Sequence, residues 1–184
     1  TFVGRSAGTA ATWRAACGER TLVQTNPGLQ PGVRNVLQWI ADREGRLRVG
    51  VGQFGTTVRV IYKVPESTLW RELVEYDLTK ETGMFPLAFD ADPHWLYVRD
   101  QHQGKAAIFK MNVVDRRVDR LLVVADAKRD LTGELVYAPG RKKVVGVRYS
   151  GADERVLFWD FDAQRLQARI DRAIPGRVNV IHSS

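Results

Sequence analysis

A serine between two glycines is the residue whose type and spacing come nearest to those of a catalytic nucleophile. The run Gly4-Arg5-Ser6-Ala7-Gly8 fits the G-x-S-x-G pattern of a nucleophile elbow. An elbow needs a strand before it and a helix after it, so that the serine oxygen is exposed. Residues 9–24 instead fit two strands of a repeated pattern, and the motif is short enough to arise by chance. We interpret the run as a turn, with a small esterase built on Ser6 as the weakest alternative.

Acidic and histidine side chains that could act as general acids or bases lie in segments typical of turns. Asp90 and Asp92 come just before a proline and are predicted to form a turn. His94 and His102 lie in predicted turns, where a ligand contact is the less favoured interpretation. The remaining paired acids are expected to be solvated in loops: Asp126 and Asp130, and Asp153 and Glu154.

The cysteine and histidine content excludes several classes of site. Cys17 is the only cysteine, so the chain has no internal disulfide and no cysteine-based zinc site. Three scattered histidines do not form a metal-binding pattern: His94, His102 and His182. The sequence therefore predicts no catalytic, cofactor-binding or metal-ligating residue.

The net charge of +7 raises the question of nucleic-acid binding. The densest basic runs, Arg116-Arg117 and Arg141-Lys142-Lys143, fall at expected turns. They are not interleaved with stacking aromatics, as single-strand binders require. We expect a solvated basic surface and no nucleic-acid partner. The sequence also contains no apolar run of about 20 residues, so no membrane span is predicted.

Similar segments recur three times at a spacing close to 50 residues. Leu22, Leu73 and Leu122 each precede a valine and are separated by 51 and 49 residues. A period of this size indicates one supersecondary unit used repeatedly. Repeat arrays present extended binding surfaces, which favours a binding, gating or supporting role over chemistry.

Each unit is predicted to contain short strands joined by polar turns. Residues 45–51 and 57–63 alternate polar and apolar side chains, the period of a half-buried strand. The predicted units are the end of a blade at 1–28, full blades at 33–78 and 85–126, a blade with a helix added or substituted at 131–174, and the start of another at 177–184. The tryptophans at strand positions are expected to pack between blades and not to form a binding cage: Trp39, Trp70, Trp95 and Trp159.

The third full unit changes from strand to helical spacing. Leu166, Ile170 and Ile174 recur on one face, which predicts a short helix near residues 163–173. Asp162 is the expected N-cap, and Pro175-Gly176 ends the helix. Residues 178–182 are predicted to be a strand.

Four-stranded antiparallel units without helical crossovers predict an all-β fold, a partial β-propeller of about three to four blades that forms one segment over residues 1–184. An incomplete ring leaves apolar faces and strand edges uncovered. We therefore expect a piece of a larger propeller, or an assembly in which another chain, including a second copy, covers the blade edges.

Several stretches resemble the propeller domain of bacterial serine peptidases of the prolyl oligopeptidase family. They are residues 18–23, 26–28, 39–46, 70–73 and 86–92, and most specifically 144–149, 166–171 and 175–179. The resemblance implies a non-catalytic segment that gates and orients peptide substrates for an α/β-hydrolase domain not present in this chain. It implies no catalytic residue here, because the family's serine motif has no counterpart at the matching end of the sequence.

The same resemblance implies a hydrolase domain and peptides as partners, and export to the periplasm or secretion. A cytoplasmic location stays open, as does the alternative of a freestanding propeller that serves as a protein-interaction scaffold. A hydrolase domain encoded in the same gene would distinguish the peptidase from the scaffold.

Overall fold

A computed structural model of the chain describes residues 11–14, 21–24, 36–80, 83–114, 120–141, 143–149 and 155–181. The chain forms two compact units, Thr1–Gly32 and Val33–Ser184. In the first unit, β1 (Ala11–Arg14) and β2 (Thr21–Gln24) pair antiparallel. This hairpin agrees with the two strands predicted for residues 9–24.

The described residues of the second unit form three antiparallel sheets, each with its strands in chain order, followed by one α-helix. The first sheet comprises β3 (Val36–Ala41), β4 (Leu47–Phe54), β5 (Thr57–Tyr62) and β6 (Arg71–Asp77). The second comprises β7 (Phe85–Phe89), β8 (Trp95–His102), β9 (Lys105–Asn112) and β10 (Arg120–Val124). The third comprises β11 (Leu135–Tyr137), β12 (Val144–Arg148) and β13 (Val156–Phe158), and α1 (Phe161–Ala173) follows. The predicted all-β, partial propeller-like fold is confirmed.

The alternation of side chains along the central strands lets the sheets stack face to face. Val60 of β5 packs with Leu96 and Val98 of β8 in a core between the first and second sheets. Tyr97 points to the other face of β8, where it packs with Val147 of the third sheet. Because a strand presents successive side chains to opposite faces, β8 contributes to both cores at once. The first strands of the first two sheets, β3 and β7, also lie against each other.

A buried ion pair fixes the turn between β3 and β4. The Asp42 carboxylate accepts hydrogen bonds from the backbone N–H groups of Glu44 and Arg46, at 3.0 and 2.9 Å. It also accepts one from the Nε of Arg48 at 2.9 Å, and both side chains are almost fully buried. Gly45, with a φ of 78°, supplies the left-handed conformation that the turn requires. This pair was not predicted from the sequence.

The third sheet shows whether the helix is added to a four-stranded blade or substitutes for one of its strands. It has three strands where the first two sheets have four, so α1 substitutes for the fourth strand. The expected N-cap was wrong: Asp160 caps the helix by accepting a hydrogen bond from the N–H of Ala163, and Asp162 lies in the first turn. The prediction erred because both positions carry aspartate, the preferred cap residue, and the sequence pattern alone did not fix the start of the helix.

Two predicted strand limits also need correction. Residues 178–181 form no strand, because they fold back against α1 instead of pairing with a sheet. His102 is the last residue of β8 and pairs with Lys105, so the turn consists of Gln103 and Gly104 only. Both turn residues have positive φ, 50° and 78°. Positive φ at both positions is typical of two-residue hairpin turns, because the backbone twist of such a turn matches the twist of its flanking strands.

Candidate functional site

A groove opens on the outer face of the third sheet, the face turned away from the second sheet. Its floor is apolar and comes from one residue of each strand: Val136, Val145 and Phe158. The groove has a volume of about 390 Å³. This volume lies within the range of about 300–1,000 Å³ that is usual for ligand pockets. We call this feature the end groove.

Helix α1 forms one wall of the end groove with Ala163 and Leu166. The side-chain amide of Gln164 donates to the carbonyl oxygen of Phe158 at 2.7 Å and ties the first turn of the helix to β13. No residue of α1 is fully buried. The helix therefore lies over the sheet without covering its apolar face.

The segment after α1 forms a second wall. The Asn179 side chain donates to the carboxylate of Asp171 and to the carbonyl of Ile174, at 3.0 Å each. Its backbone carbonyl accepts from the side chain of Gln167 at 2.8 Å. These bonds turn the chain back along the helix and bring Ile181 to the edge of the groove. The predicted helix end at Pro175-Gly176 agrees with this reversal, since Gly176 has a φ of 78°.

An ion pair lies on the rim of the end groove. The Nζ of Lys143 lies 2.5 Å from a carboxylate oxygen of Asp160. This hydrogen bond is the main cause that raises the pKa of Lys143 and lowers the pKa of Asp160, so both groups are charged at neutral pH. Asp162 also lines the rim. The groove therefore combines an apolar floor with a charged rim, a composition suited to an amphipathic ligand.

The predicted turn acids hold turns and loops in place. Asp90 accepts from the N–H of Ala91 and forms an ion pair with Lys110. Asp92 accepts from the N–H of His94 at 2.9 Å. These contacts confirm the predicted turn.

Asp126 and Asp130 lie in a loop, as predicted, and Asp130 is exposed, but both also accept hydrogen bonds from distant parts of the chain. Asp126 accepts from the hydroxyl of Tyr149 at 2.7 Å, and Asp130 accepts from the N–H of Ala106 at 2.6 Å. Both therefore anchor the connection between the second and third sheets. Sequence reasoning missed these roles because the partners lie 23 or more residues away in the chain.

His94 joins two sheets through its ring nitrogens. Nε2 lies 2.8 Å from a carboxylate oxygen of Glu66, and Nδ1 lies 2.7 Å from one of Asp92. Two hydrogen bonds raise the pKa of His94 above its usual value. The bond to Glu66 has the larger effect, and the bond to Asp92 the next largest. Glu66 follows the first sheet's β5, whereas Asp92 and His94 belong to the turn before β8. The His94 side chain thus links the first and second sheets.

The remaining histidine prediction has a simpler outcome. His102 lies edge-on to Phe109, with ring centroids 6.3 Å apart. In the part of the chain that the structure describes, no group of three or more His, Cys, Asp and Glu residues could hold a metal ion. The same part contains no helix long and apolar enough to cross a membrane.

The tryptophans divide into two kinds. Trp159 stacks on Tyr97 of the second sheet, with ring centroids 6.0 Å apart, and so packs between sheets as predicted. Burial there raises the pKa of Tyr97 to about 12. Trp39 of β3 and Trp70, which immediately precedes β6, pack edge-on to each other, with ring centroids 5.5 Å apart. The ring of Trp95 lies beside the ammonium of Lys110, so it contacts a residue of its own sheet.

Several predicted residues lie outside the described ranges: Ser6 with its flanking glycines, Cys17, the Arg116-Arg117 run, Lys142, the acids at 153 and 154, and His182. The end groove was not predicted as a site. Its signal in the sequence was the helical stripe that includes Leu166 and Ile170, which indicated an amphipathic helix without showing what its apolar face would meet.

No protein family, no curated protein and no solved structure matches the chain in comparisons with known proteins.

Proposed function

We propose that this chain is a non-catalytic propeller segment of a serine peptidase that resembles the prolyl oligopeptidase family. It gates and orients peptide substrates for an α/β-hydrolase domain. The observation that carries the proposal is the stack of antiparallel sheets in chain order, with the first strands β3 and β7 side by side. In a propeller, blades are arranged around a central channel, which can limit access by size.

The sequence supports the peptidase context through the stretches that resemble the family, above all residues 144–149 and 175–179. The first forms β12 and its end, and the second holds the turn that folds back on α1. Fold alone does not specify function, so these stretches carry the choice of family.

Two measurements test this proposal. The purified 184-residue chain should neither hydrolyse chromogenic peptides and esters nor react with a fluorophosphonate probe. Labelling that disappears in Ser6→Ala would establish an esterase instead. The coding sequence downstream of Ser184 should contain a G-x-S-x-G motif on a strand–turn–helix, with aspartate and histidine after it. Only further blades in that sequence would refute the peptidase context.

A freestanding interaction scaffold is the second candidate, and the end groove favours it. An apolar groove beside a helix without buried residues is a surface on which another protein can pack. The two candidates differ in whether the full gene product hydrolyses peptides. The scaffold predicts no turnover by the full product, and the peptidase predicts turnover of short peptides but not of folded proteins.

A further inference from the structure

The loop between β5 and β6 meets the turn between β7 and β8 at the side chain of His94. Nε2 of His94 lies 2.8 Å from a carboxylate oxygen of Glu66, and Nδ1 lies 2.7 Å from one of Asp92. Glu66 lies in the loop at 63–70, whereas Asp92 and His94 lie in the turn at 90–94. The three side chains therefore connect the first sheet to the second, and we call them the inter-sheet bridge.

The geometry of the inter-sheet bridge requires a protonated ring. An ionised carboxylate can only accept hydrogen bonds, and a neutral imidazole has one N–H and one bare nitrogen. Hydrogen bonding to the His94 ring holds the pKa of Glu66 below its usual value, and the backbone N–H of His94 does the same for the pKa of Asp92. Both carboxylates are therefore ionised near neutral pH, so only the imidazolium can donate to both. A neutral ring turns a lone pair towards one of them.

The charges around the inter-sheet bridge leave His94 as its titrating group. Arg48 of β4 acts on Glu66 and Lys110 of β9 acts on Asp92, and each cation lowers the pKa of the carboxyl group beside it. Arginine and lysine titrate far above neutral pH, and carboxyl groups far below it. Among these five side chains, the charge of His94 alone changes between about pH 5 and 8.

The contact with Glu66 is the half of the bridge that a neutral ring loses. The Asp92 carboxylate also accepts from the backbone N–H of His94 at 2.9 Å, so it stays beside the ring within its own turn. Nδ1–H therefore keeps its acceptor, and the proton lost to solvent comes from Nε2. The bare Nε2 then faces the carboxylate of Glu66, and the two groups repel each other.

The elements on both sides of the bridge are also held by contacts that do not involve the imidazole. In the loop, Arg48 donates to the carbonyls of Val64 and Pro65 at 3.1 and 3.3 Å. In the turn, the carbonyl of His94 accepts from the N–H of Val113 at 2.8 Å. The core between the two sheets contains fully buried side chains, among them Val60, Leu96 and Val98. Loss of the bridge would therefore separate the loop from the turn without unfolding a sheet.

We infer that the inter-sheet bridge is a pH-dependent switch in which the His94 imidazolium holds the 63–70 loop on the 90–94 turn and loss of the Nε2 proton releases the loop. The pKa of His94 is raised above 6.5, chiefly by Glu66, so the switch is closed below pH 6.5 and opens as the pH rises through the pKa of the folded state. The inference is independent of the proposed peptidase context, because a gating domain and a scaffold would contain the same two sheets.

Hydrogen–deuterium exchange of the 184-residue chain tests the inference. Exchange rates of the amides at 66–69 are measured at about pH 5.5 and about pH 8.5, on either side of the histidine titration, and divided by the intrinsic rates at each pH. We expect the protection to fall about threefold to fivefold between the two, the size that the loss of one exposed ion pair predicts. The protection of β5 should not change, because the core between the sheets stays closed.

Three variants separate the switch from a general effect of pH, and far-UV circular dichroism verifies that each of them folds. His94→Gln should show equal protection at both pH values within about twofold. Glu66→Gln should do the same, and the pKa of the His94 ring, followed by NMR, should fall in this variant because the larger of its two hydrogen-bond effects is lost. His102→Gln is the matched control, since it removes another histidine, one that packs edge-on against Phe109, and it should keep the full pH effect.

Equal protection of the amides at 66–69 in the parent chain at the two pH values would overturn the inference. The same is true of an undiminished fall in His94→Gln, or of equal suppression of the fall in His102→Gln. A loss of protection that extends through β5 would also contradict it, because the sheets would then open by global unfolding.

Discussion

The Asp42–Arg48 ion pair offers the sharpest test of how the first sheet is held together. Its two side chains are only 1% and 3% exposed. Asp42 accepts four hydrogen bonds, two from backbone N–H groups and one each from Arg46 and Arg48. Arg48 also donates from Nη1 to the carbonyls of Val64 and Pro65, at 3.1 and 3.3 Å. The pair therefore joins the β3–β4 turn to the segment that leaves β5.

Asp42→Asn removes the charge and keeps the size of the side chain. The guanidinium of Arg48 is then buried without a counter-charge, a defect that costs about 3–5 kcal/mol of unfolding free energy. The two carbonyls that accept from Nη1 still form hydrogen bonds with Arg48. We therefore expect a loss of about 3 kcal/mol in unfolding free energy, at the lower end of that range. With a urea m value of about 2 kcal/mol/M, the unfolding midpoint falls by about 1.5 M.

Urea unfolding followed by tryptophan fluorescence and circular dichroism measures this loss. Glu44→Gln is the matched control, because Glu44 lies in the same turn and pairs with Arg46 but is 67% exposed. It should cost less than about 0.5 kcal/mol. The double variant D42N/R48M should be more stable than D42N, since it removes the unpaired buried charge. A loss below about 1 kcal/mol in D42N, or no recovery in the double variant, would refute the reasoning.

The pH dependence of this pair has a definite sign. Burial by itself raises the pKa of Asp42, but the hydrogen bonds from Arg48 and Arg46 outweigh it and hold the pKa below its ordinary value of 3.8. The contribution of the pair is therefore present above pH 3.8 and is lost as the pH falls through the lower folded value. The stability difference between the parent chain and D42N should narrow in that range.

Three further perturbations address the contacts between and within sheets. The pKa of His94 is raised above 6.5 in the folded state, so its contacts with Glu66 and Asp92 stabilise the fold fully below pH 6.5. This contribution is lost as the pH rises through the pKa of the folded state. Urea unfolding at several pH values should show the loss of stability, and His94→Gln should abolish this pH dependence. Leu96→Ala opens a cavity between two sheets and should cost about 2–5 kcal/mol in urea unfolding, whereas Leu121→Ala at a side chain 55% exposed should cost less than about 0.5 kcal/mol. Gly146→Ala would bring Cβ to 2.8 Å from the carbonyl oxygen of Leu157 and should lower the unfolding free energy by about 1–3 kcal/mol; an unchanged urea midpoint would contradict the close packing of β12 and β13.

The repeat and its strand alternation could be predicted from the sequence because they are local properties of the chain. Leu73 and Leu122 mark strands in two successive sheets, and the polar turns between strands are visible in composition. The helix was also predictable, since Leu166 and Ile170 recur at the spacing of one helical face. The ends of the elements were harder to predict from the sequence. The N-cap of α1 is the aspartate whose carboxylate accepts from the first N–H groups of the helix, and this residue is Asp160, not Asp162.

The contacts that join neighbouring sheets depend on residues far apart in sequence. Tyr149 reaches Asp126 and His94 reaches Glu66 across sheets, and neither partner has a sequence signal of its own. The end groove exists because α1 takes the place of a fourth strand and lies on the face of the third sheet without covering it.

The sequence by itself determined the all-β repeat, the helix and the positive charge, since each follows from local spacing and composition. Only the tertiary structure decided that the apolar stripe of α1 stays half exposed beside Val145 and Phe158. The physical reason is that periodicity specifies which side chains share a face, whereas the stacking of sheets specifies whether that face is buried.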